Sequence, residues 1–178
     1  DYITSTPTGF MRNGLSEVSK NNSASGYTQG VELSGELTLN SSWIILSMLN
    51  WQNGKLVSDP FINSQQALEE PFSRSMPWSG QIGITWVNMR NDLFIKLLWQ
   101  HTAKASRLSS GDREDTQRIP PNGTPAYDLV ALRFNKEISR KLHLNISLEN
   151  ILNEAYRPHG SGTNQPGFGV NFGISFSL

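Results

Sequence analysis

Apolar and polar residues alternate along most of the chain, whereas the three- and four-residue spacing of an amphipathic helix is almost absent. The clearest stretch is Phe168–Leu178, in which every second residue is apolar and the residues between are Gly, Asn or Ser. Such alternation is typical of strands with one apolar and one polar face. The pattern therefore predicts an all-β, antiparallel protein.

Eight strands are predicted, and their connections come in two lengths. The strands lie near Tyr2–Thr4 and at Tyr27–Leu39, Trp43–Gln52, Trp78–Trp86, Leu93–His101, Tyr127–Asn135, Leu142–Leu148 and Phe168–Leu178. Tight turns are expected at 40–42, 88–91 and 139–140, and long polar loops at 7–23, 53–77, 102–124 and 153–166. This alternation puts the long loops at one end, as in outer-membrane barrels with short periplasmic turns and long extracellular loops.

The spacing of the tryptophans indicates that the apolar face of the strands contacts lipid rather than the core of a soluble protein. Trp43 and Trp51 are eight residues apart on one face, and so are Trp78 and Trp86. At about 3.3 Å per residue and a tilt of about 40°, this spans roughly 20 Å, close to the apolar band of about 25 Å between aromatic girdles. The opposite face is too polar for a small soluble core. The alternative, two aromatic cross-strand pairs inside a soluble sandwich, stays open on spacing alone.

Composition excludes several other classes of protein. The chain has 178 residues, with 15 Lys+Arg against 15 Asp+Glu, and this neutral balance disfavours nucleic acid as a partner. It has no Cys, so neither disulfides nor thiolate metal sites are available. The longest nearly apolar run, Trp43–Leu49, is far too short for a membrane-spanning helix.

Two longer motifs point to a known family. The run Ser110–Tyr127, followed by a strand, resembles the late extracellular loop of TonB-dependent outer-membrane receptors. The run Leu148–Gly162 is similar to the penultimate strand and final loop of that family, where a Glu-Asn-aliphatic-Leu-Asn-x-x-Tyr-Arg pattern recurs. The resemblance implies a segment of a transmembrane barrel of 22 strands with an N-terminal plug. Residues 1–178 would be the C-terminal part of that barrel, without the plug.

The end of the chain resembles the signal that the barrel-assembly machinery reads. Its residues are Asn171, Gly173, Phe176 and Leu178, with Leu178 in place of the usual terminal Phe or Trp. The resemblance thus implies an integral protein of the bacterial outer membrane whose partners are this machinery and the membrane lipid.

The function that the resemblance implies is TonB-energised uptake of a scarce small molecule or metal chelate, such as a ferric siderophore or cobalamin. Contact with the TonB complex would lie in the N-terminal region outside this chain. One alternative is a complete eight-stranded barrel with a structural or adhesive role. Another is an outer-membrane lipid hydrolase, but no matching Ser, His and acidic set is found, so we expect no enzyme.

Candidate ligand-binding residues lie in or beside the longest loop: Phe61, Phe72 and Arg74. No catalytic, metal or cofactor site is expected. His101, His143 and His159 lie on separate elements, without a second ligand at metal spacing. The acidic residues Asp112, Glu114 and Asp115 lack the spacing of a calcium loop and are interpreted as a solvated loop.

Replacing Phe176 with Ser should reduce insertion into the outer membrane without reducing synthesis, because it removes an aromatic residue of the assembly signal. Leu178→Phe should preserve or improve insertion. Immunoblots of outer-membrane fractions and whole cells measure both effects in the full-length protein. Normal barrel yield from the Phe176 variant would make the terminal pattern an accident of alternation.

Overall fold

A computed structural model describes residues 2–58 and 69–177, most of which form one antiparallel sheet. Its strands are β1 (Tyr2–Arg12), β2 (Leu15–Asn40), β3 (Trp43–Ser58), β4 (Glu69–Glu70), β5 (Ser79–Asn88), β6 (Leu93–Thr102), β7 (Tyr127–Ser139), β8 (Leu142–Glu149) and β9 (Gly169–Phe176). Neighbours along the chain pair in the order β1-β2-β3-β5-β6-β7-β8-β9, and β4 pairs with β3. This open sheet matches a segment of a β-barrel and confirms the predicted fold class.

The only helix in the described parts of the chain is α1 (Ser110–Glu114), which lies between β6 and β7. With five residues it is one short turn of a connecting segment. None of the described helical structure has the length and apolar character needed to cross a membrane.

The loop predicted at 7–23 is wrong. These residues belong to a hairpin in which β1 pairs with the first part of β2, and Arg12 pairs with Leu15 across a two-residue turn. Asn13 and Gly14 have φ of 52° and 79°, and a two-residue type I′ hairpin turn requires positive φ at both of these positions. Because Ser, Asn and Thr occupy much of this ribbon, it lacks the alternation by which the other strands were recognised.

The loop predicted at 53–77 is wrong in part. β3 continues to Ser58 and pairs with β2 as far as Ala24, and β4 adds a short strand against its end. The sheet therefore has nine strands among the described residues, where eight were predicted. Residues 59–68 lie outside the described residues.

Register forms one apolar face across seven strands, as predicted, although β3 and β6 also carry apolar residues such as Leu46 and Leu98 on the opposite face. Leu33 pairs with Leu49, Ile82 with Trp99, and Ile146 with Phe172. We call this the outer face. The neighbouring positions form the inner face, which carries Glu32, Gln81, Gln100, Lys96, Arg133, Asn145, Glu149 and Asn171.

Tryptophans lie at two levels of the outer face. Trp43 and Trp86 pair directly near the tight-turn end of β3 and β5. Trp51 lies on the same face of β3, eight residues on, and Trp99 pairs with Ile82 on the loop side of β6. The ring of Trp78, which precedes β5, lies 4.9 Å from the ring of His101. Two aromatic rows thus border the aliphatic band.

Side chains of the sheet are mostly accessible, and the deepest burial occurs in the connecting segments. Leu33 and Phe172 are 60% and 65% exposed on the outer face. By contrast, Ile119 and Asp112, both between β6 and β7, are 1% exposed. The sheet is a single layer without a core of its own.

The C-terminal strand follows the predicted alternation. Asn171 and Gly173 lie on the inner face opposite Ser147 and Asn145, and Phe176 lies on the outer face opposite Leu142. Leu178 lies outside the described residues. The role of these residues in barrel assembly stays a prediction.

Substitution by Arg on neighbouring positions of β8 separates the two faces. Ile146→Arg should destabilise the membrane-embedded protein by about 2 to 4 kcal/mol, because the charge enters hydrocarbon, whereas Asn145→Arg should cost far less. Unfolding of both full-length variants by denaturant in lipid vesicles gives the two free energies. Equal costs, or the reverse order, would show that the outer face does not meet lipid.

Candidate functional site

Three connecting segments pack together at one end of the sheet: 71–78, 103–126 and 150–168. We call them the loop cluster. Helix α1 forms in the second segment because Ser109 caps it. Ser109 Oγ accepts a hydrogen bond from the backbone N–H of Asp112 (3.1 Å), and the Asp112 carboxylate accepts one from the N–H of Ser109 (3.0 Å). This reciprocal pair is a capping box.

Asp112 joins the first segment to the second. Its Oδ1 accepts hydrogen bonds from Ser73 Oγ (2.8 Å) and from the backbone N–H of Arg74 (3.0 Å). Burial raises the pKa of Asp112, but the donors from Ser109, Ser73 and Arg74 outweigh it and hold the pKa below its ordinary value. The interpretation of Asp112 as part of a solvated acidic loop is therefore wrong.

Arg74, a predicted ligand-binding residue, lies where all three segments meet. Its Nη2 donates to Asp115 Oδ2 (3.3 Å), and Arg118 Nη1 donates to the same oxygen (3.2 Å). A Cβ placed on Gly160, in the third segment, would lie 3.1 Å from Arg74 Cδ. Two guanidinium groups thus share one carboxylate oxygen, which leaves each with donors for other partners.

Phe72, the second candidate, contacts the inner face. Its ring atoms would lie 2.9 and 2.8 Å from a Cβ placed on Gly26 or Gly54, so these glycines make room for it on β2 and β3. Phe61, the third candidate, lies outside the described residues. In the first segment, Phe72 thus contacts the inner face and Arg74 contacts the other loops. Their role in binding stays a prediction.

Polar contacts fasten the loop cluster to the extended end of β3. Arg107 donates to the side chain of Asn53 and to the carbonyl of Gly54 (3.4 Å). The N–H of Ser110 donates to Glu70 Oε2 on β4 (2.7 Å). The segment between β6 and β7 is thereby anchored at more than one point.

The third segment is shaped by two asparagines of the Glu-Asn-x-x-Asn motif. Asn150 and Asn153 have φ of 48° and 51°, a region that Asn tolerates better than most residues. Asn150 Oδ1 accepts from the N–H of Glu154 (2.9 Å), and its Nδ2 donates to the carbonyls of Glu154 and Pro166. Asn153 Oδ1 accepts from the N–H of Phe168 (3.0 Å). The motif is a loop-shaping device.

His159 lies buried between the second and third segments. Its Nδ1 forms a hydrogen bond with Thr124 Oγ1 (2.8 Å), and its Nε2 is buried without a partner among the described residues. Burial lowers the pKa of His159, nearby Asp112 raises it, and Arg74 lowers it further. The net shift is downward, so the neutral ring is favoured.

A hollow of about 460 Å³ lies on the inner face beneath the third segment, lined in part by Gln100, Arg133, Glu149 and Tyr156. Arg133 Nε donates to Glu149 Oε1 (3.3 Å). Charges of both signs and an amide suit a polar ligand held by charge-assisted hydrogen bonds. No group of three or more His, Cys, Asp or Glu residues in the described ranges could hold a metal ion.

Comparisons with known proteins find likeness in structure alone. No family model and no curated protein matches the chain. A solved structure named "Copper transporter OprC" is similar over 100% of this chain and 27% of its own, with a TM-score of 0.73 and 16% identity. The likeness shows the fold. The chain thus spans about a quarter of that transporter's length.

The buried polar residues of the loop cluster were missed by sequence reasoning. Ser109 and Asp112 have the spacing of a capping box, which was a readable signal. Thr124 and His159 are 35 residues apart, and no local pattern connects them.

Acidification should loosen the loop cluster through His159. Its pKa is lowered on folding, so just below pH 6.5 the unfolded segment binds more protons than the folded one. The stability of the loop cluster therefore falls as pH drops below about 6.5. Asp112, whose pKa lies below its ordinary value, contributes only at more acid pH. Hydrogen-exchange mass spectrometry of peptides from 103–126 and 150–168, corrected for intrinsic rates, measures the loss.

The matched control is His159→Asn, whose side-chain amide takes the position of Nδ1 and can still bond Thr124 but does not titrate in this range. Its loop cluster should show the same protection at about pH 7.5 and about pH 5. An identical loss of protection in both proteins would remove His159 as the cause.

Proposed function

We propose that this chain is the C-terminal part of the barrel of a TonB-dependent outer-membrane receptor that takes up a scarce small molecule or metal chelate. The observation that carries the proposal is the division of one sheet into an aliphatic outer face bordered by Trp, an inner face that carries most of the charged and amide residues of these strands, and packed loops at one end. Lipid, water and ligand each have a matching surface in this arrangement.

Exposure of the outer face supports a membrane environment. Soluble monomers rarely expose continuous apolar patches beyond a few hundred Å². Here aliphatic and aromatic side chains cover seven neighbouring strands, and many remain about half exposed. Hydrocarbon would cover them without a second layer of protein.

The two edges of the sheet do not pair with each other in the described residues, which supports a larger barrel over a complete eight-stranded one. β1 pairs only with the N-terminal part of β2, between Leu15 and Ala24, and no described residue of β9 pairs with β1 or β2. In hydrocarbon each unpaired backbone group costs several kcal/mol, so further strands would be needed on both edges. The remaining strands, the plug and the contact with the TonB complex would lie outside this chain.

The ligand would enter through the loop cluster, where Arg74 and Phe72 connect the loops to the inner wall, and pass the polar hollow below. Ferric siderophores and cobalamin fit the implied class of scarce ligand. Copper joins the probes because the similar structure is named a copper transporter.

Uptake tests the proposal directly. Bacterial cells producing the full-length protein should accumulate at least one labelled probe among a ferric siderophore, cobalamin and copper, and accumulation should vanish in cells without TonB. Equal accumulation in both strains, or none with any probe, would overturn the proposal in favour of a pore or a structural barrel.

Arg74→Ala and Arg118→Ala form a matched pair within this assay, because each removes one guanidinium from Asp115 and the two side chains are equally exposed. If Arg74 binds ligand, only its variant should raise the half-saturating ligand concentration, by about tenfold. Equal effects would assign both residues to loop structure.

A further inference from the structure

The outer face has a depression of about 430 Å³ between β2, β3, β5 and β6. Small residues leave this space open. Gly35 on β2 pairs with Ser47 on β3, and Gly80 on β5 pairs with Leu49 on β3. Elsewhere on this face large aliphatic and aromatic residues predominate. We call the depression the outer groove.

Trp99 and His101 line the outer groove on the side of β6, and Asp128 lies next to them on β7 as the register partner of His101. Trp99 Nε1 and His101 Nδ1 both donate to Asp128 Oδ1, each at 2.9 Å. Trp78 adds its ring 4.9 Å from that of His101. Since both bonds go to Oδ1, Asp128 Oδ2 has no partner within the described residues and remains available as an acceptor.

We propose that the outer groove retains one membrane lipid, with an acyl chain over Gly35, Ser47 and Gly80 and a donor-bearing headgroup against Asp128. The inference rests on the membrane location in the proposed function. A depression in a lipid-facing wall must be filled if its lining is to keep its dispersion contacts. The groove is apolar along its length and polar at one end, which is the pattern of a single amphiphile.

Position along the strands agrees with this occupant. Trp78 and Trp99 belong to the aromatic row at the loop end, where lipid headgroups meet water. An amide, hydroxyl or ammonium group there could donate to Asp128 Oδ2, while its chain crosses Gly80, in register with His101, and reaches Gly35 and Ser47 on β2 and β3. The free acceptor on β7 and the apolar depression across β2, β3, β5 and β6 are therefore adjacent, as the headgroup and chain of one lipid require.

The groove can be filled without distorting the sheet. A Cβ on Gly80 would meet only Met48 O at 3.4 Å and Leu49 Cδ1 at 3.7 Å, and one on Gly35 only Ser47 Oγ at 3.5 Å. These are ordinary contacts, so Gly80→Leu and Gly35→Leu should fold. Gly169→Leu is the matched control, because a Cβ there meets nothing within 4 Å and projects from the inner face.

Native mass spectrometry of the full-length protein, extracted from outer membranes in mild detergent, tests the proposal. Wild type and Gly169→Leu should each carry one tightly bound lipid, and its occupancy should fall about tenfold in Gly80→Leu and Gly35→Leu. Asp128→Asn, which keeps an acceptor for Trp99 and His101, should weaken rebinding of palmitoyl-oleoyl phosphatidylethanolamine to the delipidated protein.

Equal lipid occupancy in all variants, or no bound lipid and no rebinding in wild type, would overturn the lipid site and leave the proposed function standing. Loss of a second copy of the chain, rather than of a lipid, would also overturn it. Absence of the wild-type protein from the membrane fraction would overturn the proposed function, and the lipid site with it.

Discussion

Hydrogen bonding between neighbouring strands is the interaction on which the rest of this structure depends, because the sheet is one layer with no second layer behind it. Every strand from β2 to β9 along the main path is paired in antiparallel register. The register puts Leu33, Ile82 and Phe172 on one face and Glu32, Gln81 and Asn171 on the other. Cohesion thus comes from the backbone, and the side chains are free to match two different surroundings.

The loop cluster is built on the opposite principle. Its buried residues include Asp112 and His159, and hydrogen bonds made by their side chains hold its segments together. A buried polar group that loses its partner costs about 1 to 3 kcal/mol, so such a network favours one arrangement of the loops. Segments of this kind form a fixed platform over the inner wall, on which Arg74 and Phe72 have defined positions.

Alternation in the sequence predicted the fold class, the turns and the faces of most strands, because each of these strands has one apolar side. It failed where that asymmetry is missing. The ribbon around Asn13 and Gly14 is polar on much of its surface, and only the Asn-Gly pair marked its turn. The bond between Thr124 and His159 could not be predicted, since it depends on how two distant loops dock.

The long strand β2 has a mechanical consequence. Its first nine residues, 15–23, run beyond the last pair with β3, in which Ala24 pairs with Ser58, and are joined to β1 alone, an overhang of about 30 Å. A two-stranded ribbon bends easily and opens at low free energy. A pull on its tip, however, travels along a continuous backbone and loads the bonds between β2 and β3 in shear, all at once. The ribbon itself therefore bends easily, whereas the paired part of β2 resists a pull that is applied through it.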